Sequence, residues 1–215
     1  MKKYLSEFIG TFLLVSTIIG SGIMAQNLSN GIQAVALLGN TIATGAILFV
    51  VISMFAPISG AHFNPIVSFV FFFKKEIDFK TFFNFSLIQI VSGLLAVLST
   101  HFIFEINIFQ VSTNDRGQFP LLLSEIIATA GLILTILHLR ENGSNVAIGV
   151  ALFITAGYWF TSSTSFANPA VTIARSFTDT FTGINLDNVI FFIVFQFIGA
   201  TLALGLNKLI EESKT

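Results

Sequence analysis

The fold of this chain is decided by a short stretch in its second half, SFANPAVTIAR at residues 165–175. Asn168 has a side chain that caps helix N-termini, and Pro169 has the backbone angle that suits a first helical residue. The stretch therefore predicts a loop that leads into a helix. A second copy, GAHFNPIVS at residues 60–68, places Asn64 and Pro65 before another apolar run.

The composition of the chain indicates where these two copies lie. Hydrophobic residues make up 54% of the 215 residues, charged residues make up 10%, and the mean hydropathy is +0.88. These values are typical of a polytopic membrane protein with room for about six spans of about 20 residues. The net charge of -1 gives no reason to expect a nucleic-acid partner, and the absence of cysteine excludes disulfides and thiol chemistry.

Six apolar runs are long enough to cross a bilayer. They cover residues 4–25, 33–55, 81–104, 121–139, 145–161 and 188–207. The first run could pass for a signal peptide, but its length, its internal Glu7 and the lack of a cleavage site favour an uncleaved span.

Two further apolar segments, residues 56–73 and 165–177, contain the Asn-Pro pairs. Pro57, Gly60 and Pro65 interrupt the first segment and leave about eight residues of continuous helix, or about 12 Å, which is half a bilayer. Non-helical backbone at membrane depth is tolerated only where it is buried in protein or lines a cavity. Both segments are therefore predicted to be re-entrant loops that each carry a half-helix.

The positions of lysine and arginine support six spans and two re-entrant loops. Eight of the ten basic residues then fall on the side of the N-terminus: Lys2, Lys3, Lys74, Lys75, Lys80, Arg140, Lys208 and Lys214. Only Arg116 and Arg175 fall on the other side. By the positive-inside rule, we expect both termini in the cytoplasm.

The same features occur in the same order in both halves. Ser6-Glu7 recurs as Ser124-Glu125, Asn64-Pro65 as Asn168-Pro169, and Gln89 as Gln196. Three crossings per half give the second half the opposite orientation, so the two Asn-Pro loops would enter from opposite faces and meet at the midplane. We predict a single domain over residues 1–215, with inverted repeats at approximately 1–105 and 119–215.

Over nearly its whole length the chain resembles the major intrinsic protein family, the aquaporins and aquaglyceroporins. The segment SGAHFNP at residues 59–65 is similar to the family's first signature loop and Asn168-Pro169-Ala170 to its second, although Ile66 replaces the alanine expected in the first. The resemblance implies an all-α polytopic membrane protein, an aquaporin-like right-handed bundle of six transmembrane helices and two re-entrant half-helices. It also implies a homotetramer in the plasma membrane of a bacterium, no cofactor and no enzyme activity.

The paired half-helices indicate how such a protein selects its solutes. Each half-helix leaves its first N–H groups unpaired and presents roughly +0.5 elementary charge at its N-terminus. Two such ends at the midplane would repel cations, while Asn64 and Asn168 would donate N–H groups to a neutral solute, as is established for aquaporin-type pores. We therefore expect a passive, bidirectional channel for water and small uncharged solutes.

Three polar residues are expected to stabilise the loops. Glu7 and Glu125 lie one turn into apolar spans, where an ionised carboxylate costs at least about 2.5 kcal/mol unless it has partners. The resemblance implies that they accept hydrogen bonds from the re-entrant loops, and a proton relay is the alternative. His62 is expected to be a hydrogen-bonding residue of its loop rather than a metal ligand, because no other His, Cys or carboxylate lies at ligand spacing.

Four positions set selectivity in this family, and the resemblance carries them over to Thr44, Ala156, Ser165 and Val171. Strict water channels have an aromatic residue, a histidine and an arginine there, and glycerol channels have bulky aromatics and an arginine. Small residues without an arginine imply a wide filter that admits solutes larger than water, such as glycerol-like polyols or metalloid acids, including arsenite and methylated arsenicals. A strict water channel is the alternative.

Arg175 follows Val171 by about one helical turn, so it would share the same face and lie about 6 Å further out. It would then attract anions in the outer vestibule or, alternatively, snorkel to lipid headgroups from the end of the helix. Two other function classes remain open at this point. An ion-coupled secondary transporter would need carboxylates beside the Asn-Pro boxes, and a purely structural junction protein would show no solute flux.

Overall fold

The computed structural model describes residues 1–213, and this part of the chain is helical and contains no β-strand. Its helices are α1 (Lys2–Leu28), α2 (Gln33–Ser59), α3 (Pro65–Phe73), α4 (Phe79–Ile103), α5 (Phe119–Glu141), α6 (Val146–Phe160), α7 (Pro169–Arg175) and α8 (Leu186–Glu212). Lys214, which counts among the predicted cytoplasmic cations, lies outside the described residues. The all-α prediction is confirmed.

The long helices correspond to the predicted spans. Within residues 1–213, five helices are long and apolar enough to cross a membrane, namely α1, α2, α4, α5 and α8. Helix α6 is apolar but has only 15 residues, and a non-helical stretch follows it as far as Asn168. The two Asn-Pro segments contain the short helices α3 and α7, with nine and seven residues.

The first re-entrant segment begins later than expected, because Pro57 does not interrupt helix α2. The helix continues through this proline to Ser59, and the non-helical stretch is confined to residues 60–64. A proline near the end of a helix removes one backbone hydrogen bond, which neighbouring groups in a membrane bundle can compensate. Gly60 then ends the helix with a left-handed φ of 90°, a conformation that has no Cβ penalty in glycine.

The helix contacts repeat between the two halves of the chain. In the first half α1 packs against α2 and α4, and in the second half α5 packs against α6 and α8. Contacts between α2 and α6 join the halves, and α3 and α7 meet between them. The half-helices also pack across the halves, α7 against α4 and α3 against α8, so the two Asn-Pro loops come together inside the bundle.

Small residues allow the helices to approach the loops closely. A Cβ atom on Gly10 of α1 would collide with the ring of Phe63 in the first re-entrant loop. The outside of the bundle instead carries many exposed large apolar side chains, such as Ile42 on α2, Phe83 on α4 and Ile190 on α8. Such a surface is stable when it faces lipid rather than water.

Candidate functional site

The loops before α3 and α7 have the same unusual backbone. Ala61 and Phe63 in the first loop, and Ser165 and Ala167 in the second, have φ values of 52°, 49°, 52° and 45°. A non-glycine residue in this left-handed region costs roughly 1–2 kcal/mol. The loops therefore depend on tertiary contacts to hold this conformation.

Glu7 supplies these contacts for the first loop, and its side chain is fully buried. Its Oε1 atom accepts hydrogen bonds from the hydroxyl of Ser59 at 2.7 Å and from the N–H of His62 at 2.9 Å. Its Oε2 atom accepts from the N–H of Phe63 at 2.7 Å and from the amide of Gln89 at 2.8 Å. Four donors compensate the burial of the carboxylate and fix the loop to α1.

Glu125 has the equivalent place in the second half and is also fully buried. It accepts hydrogen bonds from the N–H groups of Phe166 and Ala167, both at 2.9 Å, and from the amide of Gln196 at 2.7 Å. Gln196 and its counterpart Gln89 were not predicted to be site residues. Their appearance in the internal repeat, in step with the two glutamates, was the signal that could have identified them.

Asn64 and Asn168 cap the half-helices and connect the two loops. The Oδ1 atom of Asn64 accepts the N–H of Ile66 at 2.9 Å, and its amide donates to the carbonyl of Ala167 at 2.7 Å. Asn168 caps α7 in the same way and donates to the carbonyl of Phe63 at 2.9 Å. Because a side-chain amide has two N–H groups, each asparagine retains a second donor.

The other members of the two boxes are packed inside the protein. Pro65, Ile66, Pro169 and Ala170 are buried and are not among the residues that line the central cavity. Ile66 is fully buried, so its larger side chain is accommodated in the core rather than in the cavity wall.

A cavity of about 430 Å³ extends along the bundle past both asparagines. Its walls come from α1, α2, α5 and α6, from the half-helices α3 and α7, and from the loops that precede these half-helices. Glu76, Ile77 and Arg140 line one end, which we call the Arg140 end. The Arg175 end is lined by Thr44, Tyr158, Ser165, Phe166, Val171 and Arg175.

Three of the four expected filter residues, Thr44, Ser165 and Val171, line the cavity, whereas the fourth, Ala156, is not in its wall. Ala156 is exposed on the outer face of α6, whereas Ile154 and Tyr158 line the cavity. Two residues along a helix correspond to a rotation of about 200° about its axis, so residues two positions apart lie on nearly opposite faces of the helix. Counting residues back from Asn168 could not detect this shift. The number of residues between Asn168 and the cavity-facing position of α6 depends on how the intervening loop folds.

Arg175 lies in the cavity wall and not at the lipid surface. Its side chain is 2% exposed, its guanidinium lies 3.4 Å from the ring centroid of Phe166, and its Nε–H donates to the carbonyl of Thr182. The snorkelling alternative is therefore wrong. An arginine and an aromatic residue, Tyr158, do lie at this end of the cavity, although not at the positions that the resemblance indicates.

Comparison with known proteins identifies the family. The family model described as Major intrinsic protein matches residues 1–147, more than half of the chain. This chain belongs to the major intrinsic protein family.

Relatives of this major intrinsic protein extend the match into its second half. Aquaglyceroporin AqpS of Rhizobium meliloti (strain 1021) is 42% identical over 208 residues, which cover 96% of this chain and 89% of that protein. A probable aquaporin TIP-type of Medicago truncatula is 30% identical over 161 residues, covering 74% of this chain and 64% of that protein. The solved aquaglyceroporin from Plasmodium falciparum shares the fold, with a TM-score of 0.75 at 20% identity, over 94% of this chain and 93% of that one.

The Arg140 end of this major intrinsic protein has an ion pair at its mouth. The Nη1 atom of Arg140 donates to Oε2 of Glu76 at 2.5 Å, and the guanidinium lies 4.8 Å from the ring centroid of Phe71. His62 stacks on the same phenylalanine at 4.8 Å, and its Nδ1 lies 3.0 Å from the hydroxyl of Ser68. His62 thus combines a place in the cavity wall with contacts that hold its loop.

Proposed function

We propose that this protein is a passive, bidirectional membrane channel whose cavity conducts water and small uncharged solutes. The observation that carries the proposal is the convergence of Asn64 and Asn168 in the wall of one cavity, each at the N-terminus of a half-helix. Their amide N–H groups can replace part of the hydration shell of a neutral solute, and the half-helix dipoles disfavour cations.

The charges along the cavity favour a channel over an ion-coupled transporter. Among the described residues that line it, the only carboxylate is Glu76, at the Arg140 end and paired with Arg140. Glu7 and Glu125 are directed to the loop backbones behind the wall. A coupled transporter would instead need an ionisable site beside the two asparagines.

We infer that the pore admits solutes larger than water. Thr44, Ser165 and Val171 are small, and the relative from Rhizobium meliloti is named an aquaglyceroporin. Glycerol-like polyols are the first candidates. Metalloid acids such as arsenite, which are neutral and hydroxylated, are the second, and a strict water channel remains the competing assignment.

The distribution of basic residues and the apolar outer surface support the cellular context of the proposal. We propose that the chain is one channel domain in the bacterial plasma membrane, that both termini are cytoplasmic, and that the Arg140 end faces the cytoplasm. The homotetramer implied by the family resemblance is part of the same proposal.

Stopped-flow light scattering on proteoliposomes would test the function with a panel of water, glycerol, urea, ammonia and arsenite. We expect water and at least one larger solute to cross much faster than in empty liposomes, equally in both directions and without an ion gradient. Transport that requires a sodium or proton gradient would establish the transporter instead. The absence of flux for every solute would leave the structural role.

A further inference from the structure

His101 is a fully buried histidine in the last turn of α4, and both of its ring nitrogens have partners. Its Nδ1 atom lies 2.8 Å from the carbonyl oxygen of Ile108, and its Nε2 atom lies 2.8 Å from the hydroxyl of Thr178. A carbonyl oxygen can only accept a hydrogen bond, so Nδ1 carries the proton of the neutral ring. Nε2 is therefore an acceptor, and the Thr178 hydroxyl donates to it.

The Thr178 hydroxyl begins a chain of three threonine hydroxyl groups in the loop after α7. It lies 3.0 Å from the hydroxyl of Thr180, which in turn lies 3.3 Å from the hydroxyl of Thr182. Each hydroxyl has a single proton to donate, so the direction of the first hydrogen bond sets the direction of the others. While His101 is neutral, Thr182 donates to Thr180, and Thr180 donates to Thr178.

This chain ends at the residue that holds Arg175. The carbonyl oxygen of Thr182 accepts a hydrogen bond from the Nε–H of Arg175, and within residues 1–213 it is the only acceptor that this arginine has. The side chain of Thr182 is buried, and its methyl group fills the space beside Gly22 of α1. A movement of Thr182 would therefore be transmitted to an arginine in the cavity wall.

The charges around His101 give a proton on its ring no buried counterion. Helix α4 packs against α1, whose C-terminal half carries no charge, and against α7. The charged groups of α7 and of the two loops that contact His101 are Arg175, Asp179, Glu105, Asp115 and Arg116. The three carboxylates are exposed and are screened by water, whereas Arg175 is buried. The buried charge in this set is therefore a cation, which a protonated imidazole would repel.

We propose that His101 is a positioning residue for Arg175, and that protonation of its imidazole lowers conduction through the cavity. A proton on Nε2 turns this atom into a donor, so the hydroxyls of Thr178 and Thr180 must reverse. The Thr182 hydroxyl then needs an acceptor, and in the described part of the chain Thr180 is its one partner. A buried donor without an acceptor is costly, so the loop must move.

The movement of the loop accounts for the effect on conduction. It displaces the Thr182 carbonyl, and the guanidinium of Arg175, once released from this acceptor, can extend from the wall into the cavity. Histidine is the side chain that ordinarily changes charge between about pH 5 and 8, so conduction should be higher at pH 8 than at pH 5. The inference rests on the proposed function, because it concerns the regulation of that channel.

The test measures water permeability of proteoliposomes by stopped-flow light scattering, with the purified full-length protein and the same pH on both sides. For the wild type we expect a permeability at least about fivefold higher at pH 8 than at pH 5, the effect of losing one hydrogen bond. His101→Gln removes the titrating group. Thr180→Val keeps His101 but interrupts the chain with a side chain of similar shape. Both variants should show a ratio below about twofold between the two pH values.

Two variants are matched controls for these substitutions. His138→Gln removes a histidine that lies 3.9 Å from Glu141 and does not line the cavity. Thr201→Val removes a hydroxyl that donates only to the carbonyl of Phe197 within α8. Both should keep the wild-type ratio, and empty liposomes give the pH dependence of the lipid alone. Loss of the ratio in either control would show that the response does not depend on the His101 chain, and would overturn the proposal.

The outcomes separate this inference from the function on which it depends. A wild type that passes water no faster than empty liposomes at either pH would refute the channel, and the inference with it. A conducting wild type with equal permeability at pH 8 and pH 5 would refute the inference alone. A response that persists in Thr180→Val would come from another group, such as His62 in the cavity wall, and would also refute it. This last result decides the question even if His101→Gln does not fold.

Discussion

At the scale of single residues, Val171 and Ala156 have opposite surroundings although both were expected in the filter. Val171 follows the second asparagine box and lies in the cavity wall with 3% of its surface exposed. Ala156 lies on the exposed face of α6. The same enlargement at the two positions should therefore have different consequences.

We predict that Val171→Phe lowers glycerol permeability at least about tenfold, because a bulky ring in the cavity wall adds a steric barrier of 1.4 kcal/mol or more. Water permeability should fall less, since water is smaller. Ala156→Phe should leave both permeabilities within about twofold, because aromatic side chains are tolerated at lipid-facing positions. Stopped-flow measurements that found the larger loss in Ala156→Phe would reverse the register that we assign to α6.

At the scale of structural elements, each re-entrant loop is held by a buried carboxylate on the neighbouring long helix. Glu125 binds the N–H groups of residues 166 and 167, and the backbone is left-handed at Ser165 and Ala167. The carboxylate therefore acts as a structural clamp, and Gln196 fixes the clamp from α8.

We predict that Glu125→Gln destabilises the protein by about 2–3 kcal/mol, because an uncharged amide makes weaker hydrogen bonds and turns N–H groups toward N–H donors. Thermal unfolding in detergent, followed by circular dichroism, would measure the change. Glu105→Gln removes the same charge from an exposed loop position and should have little effect. Equal stability of the two variants would argue against the clamp, and a stable variant that lost only proton conduction would favour the relay.

Helix α1 packs closely against the first re-entrant loop at Gly10. Gly10→Ala should lower stability by about 1–3 kcal/mol, because the new methyl group meets the ring of Phe63 in a packed interior. Gly205→Ala in α8 is the matched control, since a Cβ atom there meets nothing within 4 Å. Gly205→Ala should be neutral or stabilising in the same unfolding assay. A larger loss of stability in Gly205→Ala than in Gly10→Ala would contradict the close packing of α1 against the first loop.

At the scale of the whole molecule, the two halves are connected through reciprocal contacts of the loops. The amide of Asn64 donates to the carbonyl of Ala167, and the amide of Asn168 donates to the carbonyl of Phe63. Each half therefore completes the site of the other. This exchange places both half-helix N-termini at one point of the cavity, which neither half could do alone.

The orientation in the membrane can be tested with single cysteines, because the natural chain has none. We predict that Asn107→Cys reacts with a membrane-impermeant maleimide in intact cells, while Lys75→Cys reacts only after the cells are permeabilised. Both positions are exposed, so a cysteine at either one can react with a reagent on its own side of the membrane. Labelling of Lys75→Cys in intact cells would place the termini outside and invalidate the positive-inside assignment.

Local features of the sequence were sufficient for the elements and for the chemistry of the loops. Apolar length predicts the long helices, the Asn-Pro pairs predict the starts of α3 and α7, and the internal repeat predicts that the loops are equivalent. These properties depend on a few neighbouring residues and on the solvent, which the composition identifies.

Only the tertiary structure decided which side chains reach the cavity. Tyr158 and not Ala156 lines it, Pro57 continues α2, and Arg175 lies in the wall rather than among lipids. The face that a helix turns toward the cavity depends on the path of the following loop and on packing between distant segments. The sequence of a mostly apolar helix such as α6 does not show which of its faces lines the cavity. A shift of two residues in that assignment selects nearly the opposite face of the helix.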